Sequence, residues 1–142
     1  MSRSNPVVNT LVFAGALPFI GLLLLHAVPL LPGFGAMQMF NSYALVILSF
    51  LCGSHWGAGI TGSGRLAPVF FVVTNVLVLV LWLTHQWLSS TAFQLVALLE
   101  LGLLLAMDHW LQRAGLLPRW YLDTRIRITV IVALCVLVAL FA

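Results

Sequence analysis

Tyr43-Ala-Leu-Val-Ile-Leu-Ser-Phe-Leu-Cys-Gly-Ser-His-Trp-Gly57 is apolar enough to cross a bilayer, yet its second half carries Ser49, Cys52, Gly53, His55, Trp56 and Gly57. A helix facing lipid on all sides needs neither small residues nor an imidazole. The stretch therefore reads as a membrane span around which other helices pack. Working outward from it, the rest of the chain has the same character. Of its 142 residues 63% are hydrophobic and 6% charged, with mean hydropathy +1.16. A soluble domain of this size needs far more charge to cover its surface, so the excess apolar area faces lipid.

The net charge of +3 arises from six arginines and three acids. That basicity is too small and too scattered for a nucleic-acid binder. Cys52 and Cys135 both fall inside apolar spans, where cysteine behaves as a small hydrophobe, and no disulfide framework or zinc spacing is present.

The fold class expected is all-α: a polytopic bundle of five transmembrane helices, at about 7–31, 37–60, 67–87, 91–111 and 125–142, forming one domain over 1–142. The first apolar run is longer than a signal-peptide core and no small-x-small site follows it, so it is expected to be retained, with a kink at Pro18. Pro29, Pro32, Gly33 and Gly35 punctuate the first loop, and Trp82 and Trp87 are expected as interfacial anchors. With five spans, the segments holding Arg3, Arg65, Arg113, Arg119, Arg125 and Arg127 share one side. The positive-inside rule then puts the N-terminus in the cytoplasm and the C-terminus outside.

That orientation gathers the polar side chains. Ser49, His55, Trp56, Asn75, Glu100, Asp108, Arg125 and Thr129 are the candidates for a polar pocket in the cytoplasmic half, Glu100 and Ser49 lying nearest the midplane. Asp108 has two candidate partners, His55 and Arg125. Glu100 and Asp108 lie about 80° apart around their helix. A charge at mid-bilayer costs at least about 2.5–3.5 kcal/mol and signals function by default. For Glu100 the readings are a proton relay or a protonated structural acid bonded to a neighbouring helix. Ser49, Gly53, Gly57 and Thr61 recur every four residues as a small-residue stripe, for which helix packing within the chain is expected and a homodimer seam is the alternative. The segment 112–127 is expected as a cytoplasmic loop whose Arg119, Trp120, Tyr121 and Arg125 anchor at headgroups or dock a partner or an anionic lipid.

No HExxH, serine elbow or Cys/His ligand set is present, so neither catalytic nor metal-binding residues are assigned and cofactors stay undetermined. His26 and His85 are expected at the outer surface, and only His109 approaches the depth of His55.

In this order, Ala14-Gly-Ala-Leu-Pro-Phe-Ile-Gly21, Ser49-Phe-Leu-Cys-Gly-Ser-His-Trp-Gly57 after Tyr43, Asp108, and Leu117-Pro-Arg-Trp-Tyr121 with Arg125 and Thr129 resemble the domain-of-unknown-function family 3429, the family of mitochondrial transmembrane protein 69. The resemblance covers nearly the whole chain. It departs at Cys52, where glycine is expected, and at Thr74-Asn75, where a Pro- and Ser-bearing pattern is expected. It implies a bacterial or mitochondrial inner-membrane protein without an assigned activity. Three functions follow in order: a non-catalytic scaffold or accessory subunit, a small proton-linked transporter or channel, and a quinone- or haem-binding protein. The partners expected are the bilayer, another membrane protein or an anionic headgroup, and no nucleic acid.

Overall fold

The computed structural model describes residues 5–28, 35–62 and 67–142. It contains six helices among them: α1 (Pro6–Ala14), α2 (Leu17–Ala27), α3 (Ala36–Thr61), α4 (Ala67–Trp87), α5 (Ser90–Arg113) and α6 (Arg119–Phe141). Five segments are long and apolar enough to cross a membrane, α1 and α2 together forming the first. The protein is an all-α, multi-pass membrane protein. Arg3, Arg65, Pro29, Pro32 and Gly33 lie outside the described residues.

The first span differs from the expectation of one kinked helix over 7–31. It breaks at Gly15-Ala16, about one turn before Pro18, and α2 ends at Ala27. Proline has no N–H for the carbonyl four residues earlier and its ring crowds that carbonyl, so the fault appears in the preceding turn. Pro18 itself sits in the first turn of α2, where no intrahelical bond is lost. The Tyr43 hydroxyl donates to the Gly15 carbonyl over 3.0 Å, covering a backbone acceptor freed by the break. At the chain start, Asn5 caps α1 by accepting from the Val7 and Val8 amides.

The last span is also corrected. It begins at Arg119, not at 125, so Arg119, Trp120, Tyr121 and Arg125 belong to the first turns of α6 and form no loop. Pro118 initiates the helix, and the polar residues that suggested a loop are split between faces: Leu122, Thr124 and Arg125 are buried, Asp123, Ile126 and Arg127 exposed. The turn before it is closed by a Schellman arrangement. Gly115, at φ 76°, lets its own amide reach Gln112 and the Leu116 amide reach Leu111.

In the bundle, α3 contacts α2, α4 and α5, while α6 contacts α1, α2 and α5. The helices thus form a ring closed by α2, with α3 and α5 touching across its middle. Aromatic edges fasten α2 to α3, the Phe19 ring lying 5.2 Å from Phe40 and 4.9 Å from Tyr43. Alternating directions put Thr61, Arg113 and Arg119 at one end of the bundle, the arginine-bearing end.

Candidate functional site

Near that end three helices each turn one ionisable side chain inward. His55 of α3, Asp108 of α5 and Arg125 of α6 are all buried, at 1%, 3% and 3% exposure. Arg125 Nε donates to Asp108 Oδ2 over 2.7 Å, a short charge-assisted bond. His55 Nε2 lies 3.0 Å from Asp108 Oδ1. Its N–H direction is not aligned for a hydrogen bond, so this contact is electrostatic. The other ring nitrogen, Nδ1, is 2.9 Å from the Leu51 carbonyl. A carbonyl only accepts, so Nδ1 carries a proton. Asp108 thus faces the α3 imidazole with one oxygen and the α6 guanidinium with the other, which brings three helices together at one level.

Beside the cluster, α1, α3, α5 and α6 leave a cavity of about 130 Å³. Leu51, Leu101, Ile128 and Val132 make most of its wall, while Tyr121, Arg125 and Thr129 supply polar groups from successive turns of α6. Leu11 and Phe50 line it too and are 67% and 71% exposed, so the cavity opens sideways on the lipid-facing surface of the bundle.

The remaining candidates do not join this cluster. Glu100 is buried at 1% exposure on α5, eight residues from Asp108 and so about 12 Å along the axis. Neither of its carboxylate oxygens has a hydrogen-bond partner among the described residues, so the neighbouring-helix bond expected for it is not formed. Ser49 is half-buried. Trp56 is 40% exposed and rests against Phe71 of α4, with ring centroids 4.8 Å apart. Asn75 is exposed and turns its amide back to the Phe71 carbonyl of its own helix over 2.8 Å. Thr74 beside it is the buried residue, satisfied in the same way by Phe70. The angular position of Asn75 on α4 puts it on the outer face.

The small-residue stripe is a second correction. Gly53 and Gly57 are exposed, and a Cβ added at either would meet nothing within 4 Å. They receive no helix among the described residues, because the His55 side of α3 is turned inward and the stripe lies nearly opposite. The close α3–α4 approach occurs at Gly59, where a Cβ would stand 2.8 Å from the Phe71 ring.

Two polar contacts were not anticipated. At the far end of the bundle Asn41 and Gln94 are buried. Gln94 Nε2 donates to Asn41 Oδ1 over 3.1 Å, and Asn41 Nδ2 donates to Ser90 Oγ over 2.6 Å. α3 and α5 run parallel and both begin at that end, and this shared depth was the available signal. On the arginine-bearing side, Thr124 donates to Asn9 Oδ1 over 3.0 Å and ties α6 to α1.

The family described as "Protein of unknown function (DUF3429)" matches residues 4–141. No curated protein and no solved structure matches the chain.

Proposed function

We propose, for a chain that belongs to the DUF3429 family of proteins of unknown function, that it serves as a non-catalytic accessory or scaffold subunit of a bacterial inner membrane, working through helix packing inside the bilayer. The observation that carries this reading is the outward stripe of α3. Gly53 and Gly57 expose backbone on the outer side of α3 with no neighbour among the described residues. Small residues at that spacing allow a second helix to approach closely, and such packing drives association where lipid removes the hydrophobic term. The distribution of arginines supports a cytoplasmic position for the arginine-bearing end, where exposed Arg113, Arg119 and Arg127 would meet anionic headgroups or a partner's acidic surface.

The test is co-purification in a mild detergent, followed by native mass spectrometry of the wild type and of Gly53→Leu. A partner held in fixed stoichiometry by the wild type and lost from the variant, with the variant's own thermal unfolding unchanged, supports the reading. Lone chain in both samples ends it, and a homodimer sensitive to the same substitution turns the stripe into a self-association seam.

A second reading, a small proton-linked carrier, is favoured by the unpartnered buried Glu100 carboxyl. It requires proton flux in proteoliposomes that Glu100→Gln removes.

A further inference from the structure

The cavity between α1, α3, α5 and α6 has a property that helix packing alone does not require. Its three polar groups have hydrogen-bonding capacity left over. Thr74 and Thr124 return their hydroxyls to carbonyls of their own helices, as threonine in an apolar helix commonly does. Thr129, 7% exposed and on the cavity wall, makes no such bond among the described residues. The Tyr121 hydroxyl, on the same wall, likewise has no partner there. Arg125 commits Nε to Asp108, which leaves its terminal nitrogens for the cavity it lines.

We infer that this cavity binds the head of a lipid-soluble carbonyl compound, a single-ring quinone whose apolar tail leaves between Leu11 and Phe50 into the acyl chains. Three observations select that class. First, the guanidinium only donates and the phenol and the threonine hydroxyl can donate beside it, so a ligand with acceptor atoms satisfies all three at once. Second, the Arg125 charge is already met by Asp108 at 2.7 Å. A buried phosphate or carboxylate would then carry a poorly compensated charge, whereas a neutral carbonyl would not. Third, an apolar cavity of about 150 Å³ accommodates a benzene ring. The 130 Å³ here is slightly smaller, so one ring enters with its substituents and tail extending through the lateral opening. A few convergent polar groups in a mainly apolar pocket are the usual composition of a small-molecule site. The inference goes beyond the scaffold reading, since a subunit with or without a packing partner can hold such a ligand.

The experiment is titration of the purified full chain in detergent with decylubiquinone, read as the saturable part of tryptophan quenching above the linear micelle background. Trp120 adjoins Tyr121, with ring centroids 5.9 Å apart, and reports on the site. Tyr121→Phe and Thr129→Val keep side-chain volume and remove one hydroxyl each. Each is expected to weaken binding about fivefold, the loss of one net hydrogen bond. Val12→Phe, which fills the cavity from α1, is expected to abolish saturation and serves as the decisive variant if either hydroxyl variant fails to fold. Absence of a saturable component in the wild type overturns the inference, as does equal affinity in all variants. Competition by oleate at the same concentration as decylubiquinone also overturns it, because an anionic head would then be the preferred occupant. A reduced partner-binding stripe in Gly53→Leu leaves this titration unchanged, so the two proposals fail separately.

Discussion

Asp108 accepts from Arg125 on one carboxylate oxygen, at 2.7 Å, and faces His55 with the other, at 3.0 Å. One acid on α5 thus restrains both α3 and α6. Burying a charge is tolerated only when its partner is buried with it, and the cost of exposing one member exceeds the net value of the pair. Asp108→Asn should therefore destabilise the bundle by about 3–5 kcal/mol, since the buried guanidinium loses its counter-charge. Replacing the set with His55→Phe, Asp108→Leu and Arg125→Met should recover most of that loss. Thermal and chemical unfolding in mixed micelles measure both. A change under about 1 kcal/mol for Asp108→Asn would show the pair to be dispensable to the bundle.

Glu100 presents the opposite case. Both oxygens lack a hydrogen-bond partner among the described residues, at 1% exposure. Substitution has no bond to break, and it removes a group that is costly to bury. Glu100→Leu is expected to leave the unfolding midpoint unchanged or to raise it. A drop equivalent to more than about 2 kcal/mol would mean that the acid has a partner in the bilayer and is structural after all.

Much of this arrangement was readable from the chain, and the failures have specific causes. Apolar run length separated the spans, because lipid sets a minimum length that a sequence displays directly. That His55 and Asp108 lie at one level followed from rise per residue, and they stand 3.0 Å apart. What run length and depth do not contain is rotation about each helix axis. Gly53 and Gly57 were expected against a neighbour and instead face outward, and Asn75 was expected inward and instead bonds to Phe71. In a soluble protein the polar face identifies the exterior, but here the outside is as apolar as the core. Arginine content also misplaced the start of α6. Charge was taken as a sign of loop, yet Arg125 is buried against Asp108 and the helix had begun at Arg119.

The Tyr43 hydroxyl supplies a donor to the Gly15 carbonyl at the break between α1 and α2. Tyr43→Phe keeps the ring packed 4.9 Å from Phe19 and removes only that donor. The expected cost is about 1 kcal/mol. It should be local, so that amide exchange at the start of α2 accelerates while α5 and α6 are unaffected. Uniform acceleration across the chain would show that the break depends on the whole bundle and not on this bond.

The Asn41–Gln94–Ser90 cluster joins α3 to α5 at the end opposite the ion pairs. Gln94 Nε2 is 3.1 Å from Asn41 Oδ1 and 3.3 Å from Ser90 Oγ, and Asn41 Nδ2 is 2.6 Å from Ser90 Oγ. Gln94 donates to Asn41 and both amides donate to Ser90, so removing one amide leaves the other short of a partner, whereas removing both leaves an apolar contact. Asn41→Leu or Gln94→Leu alone should cost about 1–2 kcal/mol, and the double variant less than the sum, with a coupling near 1 kcal/mol. A double-mutant cycle on unfolding midpoints measures that coupling. Strict additivity would mean that water or headgroups satisfy both amides independently, and that the two helices are held at this end by the apolar contacts of Phe40 and Phe93, both buried to 1% exposure, without help from the polar bridge.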